Sequence, residues 1–176
     1  MNNWNRIWKP IVVLSLICIF VTGALAVTNE VTAPIIAEAT RQAEERARAQ
    51  VLPEAQGFTQ VTGIEVDGVS DVYTADNGVG AVITASARGY GGDVVVMVGI
   101  NAEGTIEALT VTSHSESPGV GTNVVNSAEY LSQYTGLPAQ HLTLGTDVDA
   151  HTGATVSSTA VIDAVNAAIE AYHQIP

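Results

Sequence analysis

Basic residues all but vanish after Arg48. From Ala49 to Pro176 the chain holds fourteen acidic residues and one base, Arg88, whereas the first 48 residues hold five bases and four acids. A domain so short of lysine and arginine is unsuited to nucleic acid, whose binding rests on cationic side chains. It also offers no side-chain clamp for a phosphate beyond Arg88. Cysteine is nearly absent too. The single Cys18 excludes an intrachain disulfide and a thiolate metal cluster; inside an apolar run it reads as a small hydrophobe. The four histidines, His114, His141, His151 and His173, lack metal-ligand spacing. Asp149, His151 and Ser115 come without a nucleophile elbow, which argues against a hydrolase. Neither a metal ligand nor a catalytic residue is expected.

What the chain does have begins with Ile11–Val27, 17 residues free of charge. As a helix they span about 26 Å at about 1.5 Å per residue, the short end for crossing a bilayer. Trp4 and Trp8 suit the interface, Pro10 suits a first helical turn, and Arg6 and Lys9 place the N-terminus in the cytoplasm. Ala24-Leu25-Ala26 has the form of a signal-peptidase site, so a cleaved leader is the competing reading. The run is longer than a usual leader core, which favours a retained anchor. Residues 28–50 then read as a helical stem, with Glu44 and Arg48 spaced for an i,i+4 pair and Pro53 as its stop. The expected organisation is a cytoplasmic N-terminus over 1–10, a transmembrane helix over 11–27, the stem over 28–50, and an extracytoplasmic domain over 51–176.

That domain has β texture at first. Gln60–Val66 and Val69–Ala75 flank Asp67-Gly68, a hairpin signal. Ala81–Ala87, Val94–Ile100 and Thr105–Ser113 follow, joined by Gly89-Tyr90-Gly91-Gly92 and by Asn101–Gly104. Val94–Ile100 is almost wholly apolar and is expected to be a central strand buried on both faces. Short connections imply an antiparallel sheet. Asn126–Gln133 reads as a short helix and His141–Leu144 as one further strand. From Ser157 onward Val161, Val165, Ala168 and Tyr172 recur at helical spacing. The fold class is therefore α+β: one N-terminal transmembrane helix, a mainly antiparallel sheet, and a C-terminal helix.

The most informative stretch is Asp149–Ser158. A turn of small and hydroxyl-bearing residues, Thr152-Gly153-Ala154-Thr155, runs straight into that last helix. The first N–H groups of a helix lack intrahelical partners and its dipole is positive there, which makes a phosphate site. Gly153 and Ala154 let a bulky ligand approach the backbone. Thr152–Thr155, with Asp149 before it and Ser157 and Ser158 after it, resembles the flavinylation motif of FMN-binding domains. Glu116-Ser117-Pro118-Gly119-Val120-Gly121 is similar to a second segment of that family, commonly E-T-P-G-L-G, with two conservative departures. Gly89–Gly92 also looks like the family, so the likeness covers residue 51 to the C-terminus in order.

The resemblance implies an FMN held by a phosphoester to Thr155, installed by a dedicated flavin transferase. The residues around it in the two motifs, Thr152, Gly153, Ala154, Ser157, Ser158, Glu116, Ser117, Pro118 and Gly119, would surround the cofactor. Within the family the chain is most similar to the G subunits of Rnf-type complexes, which couple electron flow between ferredoxin and NAD to Na⁺ or H⁺ transport. That implies an electron-transfer subunit in the cell membrane, with other membrane subunits and the lipid bilayer as partners and no nucleic acid. The C subunit of a Na⁺-translocating NADH:quinone oxidoreductase and a free-standing flavinylated respiratory carrier are the alternatives. A non-redox anchored binding module is the rival of a different class.

Overall fold

A computed structural model describes residues 3–176, with side chains from Trp8 onward; the expectations resting on Trp4 and Arg6 lie outside the described side chains. The chain forms two compact units, one up to Ala43 and one from Glu44 to Pro176. In the first, helix α1 (Asn3–Val51) begins, and it continues as one element into the second. Pro10 lies inside it rather than in its first turn, and Pro34 lies inside it as well. Thr28 and Thr32 donate back to the carbonyls of Ala24 and Thr28, four residues earlier, at 2.9 and 2.7 Å. An 18-residue window of this helix has a mean hydropathy of 2.7 and none of it is buried, so it is long and apolar enough to cross a membrane. Beyond it, Glu38 accepts from Gln42 and pairs with Arg41 at 3.1 Å, and these contacts hold its carboxyl below the usual range.

The second unit is built on a five-stranded antiparallel meander in the order β1 (Phe58–Val61), β2 (Val69–Ala75), β3 (Gly80–Arg88), β4 (Asp93–Asn101), β5 (Ile106–His114). Alternate residues of one strand serve two different cores. Val94, Val96, Val98 and Ile100 face the larger core, which is closed by the C-terminal helix. Met97 faces the smaller one, with Ala75, Val82 and the helix-end residues Val51 and Leu52. The sheet is thus covered on both faces, and β4 is buried on both, as its apolar run predicts. It stands next to the edge strand β5, however, and β3 takes the centre.

Three sequence readings are corrected. The first strand stops at Val61, because Gly63 takes φ +92°; the chain then loops through Ile64 and Val66 instead of making a tight hairpin at Asp67-Gly68. The segment Asn126–Gln133 is not one helix. Helices α2 (Thr122–Val125) and α3 (Ala128–Ser132) are separated by an extended Ser127 whose side chain caps α3 at Tyr130. His141–Leu144 forms no strand either. The Leu142 N–H and C=O are satisfied by the Asn166 amide at 2.8 and 3.0 Å, which removes the need for a strand partner.

Gly99 shows how tightly the helix end sits. A Cβ there would overlap the Val51 carbonyl. Gly99→Ala is therefore expected to destabilise the domain by about 1–3 kcal/mol, the usual range for overpacking. A thermal melt in detergent reads this as a lower midpoint; an unchanged melt would show that the contact yields at no cost.

Candidate functional site

Helix α4 (Thr155–Tyr172) brings the second unit's chemistry to one place. Its buried face is made of small and β-branched residues, Ala160, Val161, Ala164, Val165 and Ala168 among them, so it lies close on the sheet. Its start is unusual. The N-cap is Ala154, which has no side-chain acceptor, and Gly153 before it takes φ +83°. No acceptor meets the N–H groups of Thr155, Val156 or Ser157 among the described residues. Three donors and the positive end of the dipole are thus left for an anion. Thr155 is exposed and its hydroxyl makes no hydrogen bond within the described residues.

The neighbouring hydroxyls are differently placed. Ser158 is fully buried and its Oγ accepts from the His151 N–H at 3.1 Å, which closes the turn. Ser157 is buried too and donates to Glu116 Oε2 at 2.6 Å. The other oxygen of Glu116 accepts from the Gly91 N–H at 3.3 Å. A Cβ at Gly89 or at Gly121 would overlap this carboxylate. Gly89 of the first turn and Gly121 of the second loop therefore have one shared cause, which is room for Glu116. Three distant segments meet at that side chain.

In front of this junction lies a cavity of about 480 Å³, bounded by Tyr90, Ser117, Val120 and Gly153–Ser157. Its size is in the range of small-molecule sites, about 300–1,000 Å³, but other depressions on the domain are as large. Its chemistry sets it apart. Tyr90, Val120 and Val156 are 74%, 50% and 53% exposed, and they are the large apolar side chains left exposed in Glu44–Pro176. All three border this cavity beside Thr155. An apolar aromatic ring has a seat there, and a phosphate has the helix terminus next to it. A flavin mononucleotide fits both requirements.

Of the residues expected from sequence, Gly153, Ala154, Thr155, Ser157 and Ser117 border the cavity. Glu116 lies behind it and Ser158 inside the turn. Thr152 faces a different depression of about 320 Å³ shared with Asp149, His151 and Glu129. Pro118 and Gly119 are exposed and do not border the cavity. Sequence reasoning missed Tyr90, Val120 and Val156 as lining. An exposed-looking tyrosine between glycines, in a chain with 5% aromatics, is the signal that was available.

Residues 89–170 match the FMN-binding domain family, and residues 1–51 match the RnfG N-terminal region. The chain is 32% identical to the G subunit of the Na(+)-translocating ferredoxin:NAD(+) oxidoreductase complex of Acetobacterium woodii, over 98% of this chain and 95% of that protein. It is 32% identical to the G subunit of the ion-translocating oxidoreductase complex of Methanosarcina acetivorans, over 97% and 96%. It is 29% identical to the G subunit of the proton-translocating ferredoxin:NAD(+) oxidoreductase complex of Clostridium ljungdahlii, over 96% and 93%. At 32% identity over nearly the full length of the first two of these relatives, the chain belongs to the family of ion-translocating oxidoreductase complex G subunits.

Proposed function

We propose that this chain is the FMN-carrying electron-transfer subunit of an Rnf-type membrane complex, with the cofactor attached by a phosphoester to Thr155. The observation that carries the site assignment is the pairing of an exposed, unengaged Thr155 hydroxyl at an uncapped helix start with the domain's exposed apolar trio. Bound FMN supplies reversible one- and two-electron chemistry. The protein's part is to hold it. The N–H groups of Thr155, Val156 and Ser157 face the phosphate, the Gly153 turn lets the ligand reach the backbone, and Tyr90, Val120 and Val156 shield the ring from water. A covalent link suits an anionic cofactor on a domain whose residues from Ala49 onward carry fourteen acids and one base. A flavin transferase makes the link, and the other membrane subunits exchange electrons with the ring.

Residues 11–27 cross the bilayer in this reading, with 1–10 cytoplasmic, 28–50 as the stem and 51–176 extracytoplasmic. The test is direct. Protein made in a host that also produces the transferase, denatured on a gel and viewed under ultraviolet light, is expected to fluoresce at its own mass. A dark band from such a host would sink the reading.

A further inference from the structure

We propose that Glu116 sets the electron affinity of the bound flavin, lowering its midpoint through a buried carboxylate that no cation neutralises. The proposal rests on FMN occupying the cavity at Thr155.

Glu116 is the one acidic side chain buried in the described residues, at 5% exposure. Its surroundings hold it as an acceptor. Ser157 O–H and Gly91 N–H donate to its two oxygens, and an ionised carboxylate is an acceptor on both. Among the described residues no positive charge pairs with it. Arg88, the only base after residue 48, pairs with Asp93 at the surface at 3.2 Å. Arg48, the other buried charged residue, lies over the Tyr73 ring at 4.3 Å. Tyr73 is registered with Val82 of the smaller core, on the sheet face away from α4. His114 faces Glu116 too, but through an Nδ1 that accepts from the Glu116 N–H at 3.3 Å.

One hydroxyl, Ser157, separates this carboxylate from the cavity wall. Reduction by two electrons with uptake of one proton leaves the flavin one unit more negative. The electrons come from a low-potential donor of the complex and the proton from water. A fixed negative charge nearby opposes that change, and it does so strongly where the medium is poorly polarisable. The exposed acids of the domain act through water and are screened over about 8–10 Å. Glu116 is not.

The experiment is a spectroelectrochemical titration of the full-length flavinylated protein in detergent, at low and at high salt. Glu116→Gln keeps the size of the side chain, and Ser157 can reverse its hydroxyl to accept from the amide. Its midpoint is expected to shift to higher potential and to stay shifted at high salt. Glu116→Asp restores the charge and is expected to return the midpoint toward wild type. Ser157→Ala keeps the charge and deletes its closest donor, so it is expected to move the midpoint the other way. A wild-type midpoint in Glu116→Gln, equal shifts in the Gln and Asp variants, a shift that salt removes, or a rise in Ser157→Ala each overturns the proposal. Gel fluorescence of the wild type, read first, separates this from failure of the FMN reading itself. Without covalent flavin there, the site assignment falls before any potential is measured.

Discussion

Thr155→Ala, produced beside a flavin transferase, is expected to yield a folded protein with no covalent flavin. The loss should be complete, because the hydroxyl is the bonding atom in the proposed phosphoester and no other hydroxyl replaces it. Ser157 borders the cavity but is buried with its hydroxyl donated to Glu116, and Ser158 is buried and accepts from the His151 N–H. Thr152 is exposed but faces the depression on the other side of the turn. The fold should survive. Ala154, not Thr155, holds the cap position, and Thr155 makes no internal hydrogen bond that the change would break. As the first helical residue, alanine is if anything the better helix former, so the melt is expected to stay level or rise slightly. Thr152→Ala is the matched control and should keep its adduct. Intact-mass spectrometry decides: an FMN-sized adduct on Thr155→Ala would show that the register of the motif is wrong.

The parts of this site that were legible in the sequence are those fixed by local chemistry. A turn of Gly153 and Ala154 before apolar residues at helical spacing marks a helix start, and the structure puts one there. The apolar run Val94–Ile100 marks a strand buried on two faces, and its residues do divide between two cores. What was not legible depends on pairing over long sequence distances. Nothing local says that Glu116 reaches Ser157, 41 residues on, or that Gly89 and Gly121 are small for the sake of one carboxylate. The same holds for the helix end. The stem reads as a solvated spacer up to Gln50, yet Val51 and Leu52 are core residues beneath the sheet. The strand expected at His141–Leu144 failed for a related reason, since a side-chain amide from α4 took over the role of a neighbouring strand. Propensity within a short window does not see such a substitution.

The second large effect is one of topology. With Cys18→Ala as background, a cysteine at Glu103 is expected to react fully with a membrane-impermeant maleimide on intact cells, and one at Asn5 only after lysis. Glu103 is an exposed residue of the turn between β4 and β5, so access is not limited by burial. The argument for orientation is the placement of bases near the apolar run. Arg6 and Lys9 lie within five residues of Ile11, whereas the first base beyond Val27 is Arg41, fourteen residues away. Bases close to the span weigh most in the positive-inside rule, and carboxylates such as Glu30 weigh little. The dependence on those two residues is itself testable. Arg6→Glu combined with Lys9→Glu removes the bias and leaves Arg41, Arg46 and Arg48 as the nearest bases, so it is expected to give mixed labelling at Glu103→Cys. Labelling of the parent Glu103→Cys protein only after lysis would place the domain in the cytoplasm. The proposed electron path would then have to run on the other side of the membrane.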